Sequence, residues 1–551
     1  MTQTIPARFL DRATSDGERV SMRVSSPDGA HALITWREWR TMSLKFAAAL
    51  LESGASDTDA VAILAGNGLA WPIADLGTLL CGKTSVGIYP TSAPVQIVKI
   101  LQDCRAGVLV IDDARQLEVV LGLREQLSDL RIIISVCNVH LPNLISWDEW
   151  LGIGSAALEA RPELEASIEE RARAIGRHDR AIIIYTSGST GEPKGAVLSH
   201  GCIDASAESI AATLGLTASD TTMSFLPYSH AAERITGLYT RINRGMEAAL
   251  VEDAFRIWDV AAEYRPTVFG GLPRYYEKLH QIAQAQCRSP VEILGGRVRL
   301  ATSGGAPLPM DIAKSLAALG LPVLGAYGLT EHLCVAFNRS DDPTFDTSGH
   351  AMPGTEIRIA GDGEVLVRRS ELTFSGYNNL PEATRAAFTE DGEWLRTGDL
   401  GALDGRGRLR ITGRKKELLA LSNGKMVAPL PIEARLAMHP LITHAVLHAE
   451  GKRFVSALIV LDAESLASWA QARGISESAE ELASHPLVAA EIQKAVDEVN
   501  GSLSRAESIR RFFAVTRELS VAESELTPTL KVRRKAVLEK YAVQLDALYN
   551  A

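Results

Sequence analysis

Apolar positions in the first half of the chain alternate between two periods. Trp39, Met42, Phe46 and Leu50 recur at the spacing of one helical face, whereas Val-Ala-Ile-Leu at 61–64 is the short unbroken run of a buried strand. Val95, Val98 and Leu101 suggest the next helix, followed by strands at 107–111 and 132–136. The β-branched run at 181–184 is a further strand, and Ile203, Ala207, Ile210 and Leu214 form a helical stripe suited to pack on it. Short buried strands alternating with amphipathic helices predict an α/β fold of parallel, doubly wound sheets.

From about residue 356 the pattern changes to short strands separated by Gly/Asp turns, at 363–368, 404–405 and 408–411, which predicts a β-rich subdomain over about 356–412. Beyond Gly413 the chain has the texture of a compact α+β module, with strands at 454–461 and 511–515 and helices at 491–499 and 534–548. The expected organisation is a large N-terminal domain (1–412), a boundary segment (413–416) and a small C-terminal domain (417–551). A length of 551 residues, too great for one hydrophobic core, agrees with such a division.

Composition narrows the function classes. A net charge of −10 opposes non-specific nucleic-acid binding, which needs an excess of Lys and Arg. The most apolar window, 61–89, is interrupted by Asn67, Pro72, Asp75 and Lys83, so no transmembrane segment is expected. Arg8, Asp11, Arg12 and Asp16 break up the N-terminus, which is therefore not a secretory signal. The six cysteines show no paired or metal-ligand spacing. A cytoplasmic protein is expected; the sequence leaves peripheral membrane association and oligomeric state open.

Candidate chemistry concentrates in a few runs. Tyr-Thr-Ser-Gly-Ser-Thr-Gly-Glu-Pro-Lys at 185–194 follows the strand at 181–184. Gly188 and Gly191 let main-chain N–H groups approach a phosphate; Thr186, Ser187, Ser189 and Thr190 add hydroxyls, and Lys194 adds a positive charge. Gly195 stands where a Walker loop has Ser or Thr, so this is a different phosphate cradle. Gly-Ala-Tyr-Gly-Leu-Thr-Glu at 325–331 supplies a ring able to stack on adenine (Tyr327), a hydroxyl for a phosphate oxygen (Thr330) and a hard oxygen ligand for Mg²⁺ (Glu331). Near the C-terminus, Glu-Leu-Thr-Pro-Thr-Leu-Lys-Val at 525–532 carries Lys531. A carboxylate attacking a phosphate meets about 4 kcal/mol of repulsion at ~4 Å and an effective dielectric of ~20, so a bridging lysine matters.

These runs resemble, in order and over nearly the whole chain, the motifs of the adenylate-forming superfamily of acyl-CoA synthetases, luciferases and peptide-synthetase adenylation domains. The resemblance implies that Ser-Gly-Gly-Ala-Pro at 303–307, with Gly304, Gly305 and Ala306, joins Tyr327 and Gly328 around adenine. It implies that Asp399 and Arg414 hold the ribose, and that Lys531 is the mobile lysine of the first half-reaction. It also implies that the segment 413–416 is a hinge, at Lys416, and the small domain mobile. Leu-Pro-Tyr-Ser-His-Ala-Ala-Glu-Arg at 226–234, Leu-Ser-Asn-Gly-Lys at 421–425 and the run at 526–535 are most similar to long-chain fatty acyl-CoA synthetases. His230 would then sit at the entry of the acyl carboxylate, and Gly424 beside the approach of the thiol. Implied substrates are a fatty acid, ATP with Mg²⁺, and CoA, with a carrier-protein phosphopantetheine as the alternative acceptor and a non-catalytic adenylate binder as the rival class. Tyr228, His332 with Cys334, and Arg369 with Ser370 depart from the family pattern.

Overall fold

The computed structural model describes residues 3–25, 31–55, 58–137, 139, 144–187, 192–501, 503–527 and 531–550. The chain forms two compact units: Met1–Arg358 with Leu366–Arg396 and Asp404–Leu409, and Ile359–Val365 with Thr397–Leu403 and Arg410–Ala551. It is a mixed α/β protein, as the alternating pattern predicts.

An eight-stranded sheet organises the first unit. Its order is Gly376–Tyr377, Pro193–Ser199, Arg180–Ser187, Thr84–Gly87, Ala60–Leu64, Ala106–Ile111, Ile132–Ser135 and Ile145–Ser146. The strands from Arg180–Ser187 onward run parallel, whereas Pro193–Ser199 pairs antiparallel with both its neighbours, Arg180–Ser187 and Gly376–Tyr377. Alternate residues Ala60, Ala62, Leu64, Leu109 and Ile111 pack with Ile97, Leu101 and Leu117 of two helices on one face. The intervening Val61, Ile63, Val108 and Val110 are also fully buried, so both faces are covered. This is why these strands are continuous apolar runs. A five-stranded sheet of Val268–Gly271, Leu300–Ser303, Val323–Tyr327, Ala336–Phe337 and His350–Ala351 has a parallel first half. A four-stranded sheet of Thr221–Ser224, Glu247–Leu250, Val20–Ser25 and His31–Thr35 completes the large layers.

In the second unit, Ile442–His448, Val455–Leu461 and Ile509–Val515 form a three-stranded sheet. Val455, Ala457, Ile459 and Leu461 face a core with Ile432, Leu466 and Ile492, while Leu458 and Val460 face Val537, Tyr541 and Leu545. A further sheet takes Ile357–Ile359, Glu364–Arg368, Trp394–Leu403 and Leu409–Arg414, and the division between the units falls within its strands.

Several local expectations change. Val95 lies outside the apolar face of Pro94–Asp103 and is 66 % exposed, while Val98 and Leu101 are buried. The helix expected over 534–548 is two helices, Arg534–Lys540 and Ala542–Asn550. A strand, Pro193–Ser199, stands between the run at 185–191 and the helix His200–Thr213. Ala232–Tyr239 is a π-helix, whose wide turns have no periodic sequence signature. Among the described residues, no helix is long and apolar enough to cross a membrane.

Candidate active site

In open α/β sheets, ligands bind beyond the carboxyl ends of the parallel strands. Arg180–Ser187 delivers Thr186 to that edge of the eight-stranded sheet. Its return strand places Lys194 opposite Thr186 and Pro193 opposite Ser187. Gly188, Ser189, Thr190 and Gly191 lie outside the described residues, as does the Ser187 side chain. Gly195 is a packing requirement: a Cβ there would come within 2.7 Å of Ile183 and 2.9 Å of the Tyr185 ring.

The loop carrying His230 covers neighbouring strand ends. The Asn67 amide, just past Ala60–Leu64, donates to the Leu226 carbonyl at 2.6 Å, and the His230 ring meets Tyr89 edge-on at 6.4 Å. His230 Nδ1 accepts from the Ala232 amide at 3.1 Å. Immediately after it, Arg234 is fully buried. It pairs with Asp75, donates to Ser85 Oγ at 2.6 Å and to the Tyr239 hydroxyl at 3.0 Å. Tyr228 is buried and stacked on Trp71 at 4.8 Å, so the departure noted at 228 adds an aromatic wall beneath the His230 loop.

The five-stranded sheet presents the second group at its own carboxyl edge. Gly271, Ser303 and Gly325 are in register, and Gly304, Gly305 and Ala306 follow Ser303 directly. Gly305 has φ +79°, and both it and Ala306 are exposed. Tyr327 ends its strand half-buried, and Thr330 and Glu331 lie in the following turn. Gly328 permits that turn, since a Cβ would fall 1.8 Å from the Leu333 carbonyl oxygen. His332 braces it from beneath: buried, it hydrogen-bonds Thr373 at 3.1 Å and Thr355 at 3.0 Å, and burial pulls its pKa down to about 4. The departure at 332 is therefore a structural support.

One residue the motifs did not single out joins these two groups. Tyr377 donates to Glu331 Oε1 at 2.5 Å, and the Lys194 ammonium lies 5.5 Å from its ring centroid. The only sequence signal for it was an aromatic in the Gly-Tyr-Asn-Asn turn at 376–379.

The remaining candidates belong to the second unit. Asp399 is 4 % exposed and pairs with Arg414 Nε at 3.0 Å. Gly398, with φ +71°, lies beside it within the strand Trp394–Leu403, and its amide donates to Glu364 Oε1 at 3.1 Å. Lys415 pairs with Asp362 and Glu364, whereas the adjacent Lys416 is exposed in a short 3₁₀ turn. Gly424, with φ +78°, is at the tip of the hairpin Leu419–Ala420/Met426–Val427; a Cβ there meets nothing within 4 Å. The glycine is thus explained by backbone conformation rather than local crowding. The Lys531 carbonyl accepts from the Thr527 amide at 2.8 Å. As a residue Lys531 is exposed, yet desolvation around its ammonium lowers its pKa. Arg414 adds to that, while Asp399 and Glu417 oppose it.

Residues 9–380 match the AMP-binding enzyme family, and residues 416–551 match the AMP-binding enzyme C-terminal domain. The chain belongs to the AMP-binding enzymes. It is 33 % identical to the long-chain-fatty-acid–CoA ligase FadD15 of Mycobacterium bovis over 95 % of this chain and 93 % of that protein. It is 26 % identical to the long-chain-fatty-acid–CoA ligase ACSBG2 of Xenopus laevis, covering 99 % and 84 %. Among solved structures, the anthranilate CoA ligase AuaEII bound to anthranoyl-AMP is similar with a TM-score of 0.79 at 22 % identity, covering 98 % and 97 %. The adenylation domain of a carboxylate reductase from Mycobacterium chelonae also gives 0.79, at 23 % identity, covering 100 % and 91 %. At those identities the structures establish the AMP-binding enzyme fold; the sequence relatives place the chain beside fatty-acid–CoA ligases.

Proposed function

We propose that this AMP-binding enzyme activates a fatty carboxylic acid of medium to long chain and transfers it to CoA. The acid's carboxylate attacks the α-phosphate of ATP, and the bond to pyrophosphate breaks. The CoA thiol then attacks the acyl carbonyl of the acyl-adenylate, and AMP leaves. The relatives' names, long-chain-fatty-acid–CoA ligase, support the substrate class.

The observation that carries the reading is the meeting of Lys194 and Glu331, from two different sheets, on Tyr377. A cation and a carboxylate held by the ring and the hydroxyl of one tyrosine suit a metal–triphosphate group. Thr186, Thr330 and the hydroxyls at 187–190 would donate to phosphate oxygens, and Lys194 would neutralise them. Gly304, Gly305, Ala306, Tyr327 and Gly328 would receive the adenine, Asp399 and Arg414 the ribose. Glu331 as a lone carboxylate fits Mg²⁺, which keeps few protein ligands when phosphates supply the rest. No cluster of three or more His, Cys, Asp or Glu able to hold a metal exists among the described residues. When bound, Mg²⁺ would draw charge from the phosphates and ease departure of pyrophosphate.

Lys531 bridges the two anions in the first step, and its lowered pKa reflects an ammonium short of solvent. Lys416 is the pivot about which the small domain (417–551) turns for the second step, when Gly424 replaces Lys531 at the site. Exposure of Lys416 and the start of the family's C-terminal domain at 416 support that assignment. His230 lines the carboxylate entry. All six cysteines are free thiols, in keeping with a cytoplasmic enzyme.

The test is pyrophosphate release across carboxylic acids of graded length, with CoA or carrier-protein phosphopantetheine as acceptor. Release with fatty acids and thioester formation on CoA are expected. No release with any acid overturns the activity, and thioester formed on carrier protein alone overturns the acceptor.

A further inference from the structure

Segment 374–378 grips both halves of the phosphate side. Its backbone extends the phosphate hairpin: Tyr377 pairs with Ala196, the Asn378 amide donates to the Gly195 carbonyl at 2.7 Å, and the Ser375 amide donates to Val197 at 2.8 Å. The same segment holds the Glu331 turn, because the Phe374 amide donates to the Glu331 carbonyl at 2.9 Å. Gly376, at φ +144°, allows the segment to lie against Thr384, whose side chain a Cβ would approach to 2.7 Å. Thr384 Oγ1 in turn accepts from the Tyr377 amide at 2.8 Å. The backbone of Tyr377 is therefore fixed on both sides, and its ring packs edge-on against Phe374 at 5.0 Å.

From that position the side chain reaches two charges at once. Its hydroxyl meets one oxygen of Glu331, and its ring face lies beside the ammonium of Lys194. A phenol bound to one carboxylate oxygen leaves the other free and fixes its direction, as outer partners of metal ligands do. An ammonium beside an aromatic face is held without loss of its charge. The hydrogen bond does not account for the contact with Lys194, and ring packing does not account for the contact with Glu331.

We propose that Tyr377 is a positioning residue that sets the direction of Glu331 toward Mg²⁺ and tethers Lys194 beside it. This rests on the assignment of Glu331 as the metal ligand. It makes Tyr377 the physical link between the phosphate hairpin and the metal-ligand turn.

The experiment is calorimetric titration of ATP into the full-length protein at graded Mg²⁺, for the parent, Tyr377→Phe, Tyr377→Leu and Glu331→Gln, with ATP affinity in chelator as the baseline. Tyr377→Phe keeps the ring but loses the hydroxyl. It is expected to melt with the parent, to bind ATP in chelator as the parent does, and to need about tenfold more Mg²⁺ for half of the Mg²⁺-dependent gain. Tyr377→Leu, which also releases Lys194, is expected to lose ATP affinity in chelator as well. A Mg²⁺ midpoint unchanged in Tyr377→Phe but shifted in Glu331→Gln overturns the role of Tyr377 and leaves Glu331 as the ligand. A midpoint unchanged in Glu331→Gln overturns the metal-ligand assignment itself, and the present inference with it.

Discussion

Lys194 and Lys531 are both assigned to the phosphates, yet they are built into the protein differently. Lys194 stands on a strand paired residue by residue with Arg180–Ser187, and its ammonium lies against Tyr377. Lys531 is an exposed residue whose carbonyl accepts from the Thr527 amide. A few residues before it, buried Glu525 pairs with Arg517 and Lys540 and accepts from the Ser520 amide at 3.0 Å. Among the described residues, the first lysine has its ammonium against a ring, whereas the second is bonded through its backbone. Gly424 repeats the second arrangement, at the tip of a two-stranded hairpin. Groups needed in both half-reactions can be fixed, whereas groups needed in only one must come and go.

This contrast can be broken most sharply at Lys531. Lys531→Ala is expected to slow acyl-adenylate formation roughly a thousandfold, the equivalent of about 4 kcal/mol of unrelieved repulsion. Thioester formation from supplied acyl-AMP should be spared. Equal loss of both half-reactions in single-turnover assays contradicts a role confined to the first.

The fixed side has a pH signature in His200, which opens the helix after the phosphate hairpin. It is 1 % exposed, and burial pulls its pKa down to about 4, against a smaller opposing effect of Asp179. The unfolded chain therefore binds more protons than the folded one between that value and about 6.5. Stability is full above about pH 6.5 and falls, by about 3 kcal/mol in total from this group, as the pH drops to about 4. Denaturant melts at pH 7 and pH 5 should show that fall in the parent and a flatter profile in His200→Gln. Equal slopes would remove His200 as the cause.

Lys416→Pro sharpens the mobile side. Proline restricts the backbone at the proposed pivot. Thioester formation is expected to drop about a hundredfold, in line with misplacement of reacting groups by ~1 Å, with adenylate formation nearly unchanged. Unchanged transfer to CoA removes the pivot from Lys416. The smallest effect is expected at Gly424→Ala, where φ +78° imposes about 1 kcal/mol of strain on a side-chain-bearing residue. Transfer to CoA should slow by about fivefold to tenfold, measured with pre-formed acyl-AMP. A far larger loss would mean that the space beside Gly424, not its backbone angle, is what matters.

Much of the fold was legible because burial on both faces leaves apolar runs such as 61–64 and 107–111, which need no long-range information to recognise. The run at 185–194 stood out by composition, since a phosphate cradle would ask only for local glycines, hydroxyls and one lysine. Tyr377 did not, because its meaning depends on pairing with Ala196 and on reaching Glu331, both far away in sequence. The π-helix at Ala232–Tyr239 was hidden for another reason: its buried Glu233 and Arg234 look like surface charges until their partners Arg241 and Asp75 are placed. His332 likewise stood out only as a departure from the family pattern, and its bonds to Thr355 and Thr373 show it to be a brace.

The most direct test omits the thiol. The protein is incubated with ATP, Mg²⁺ and a series of fatty acids of graded length, and labelled pyrophosphate is followed into ATP. The account expects exchange that depends on the fatty acid, is lost in Lys531→Ala, and gives way to steady AMP production once CoA is added. Absence of exchange with every acid, from protein shown to be folded, would contradict it.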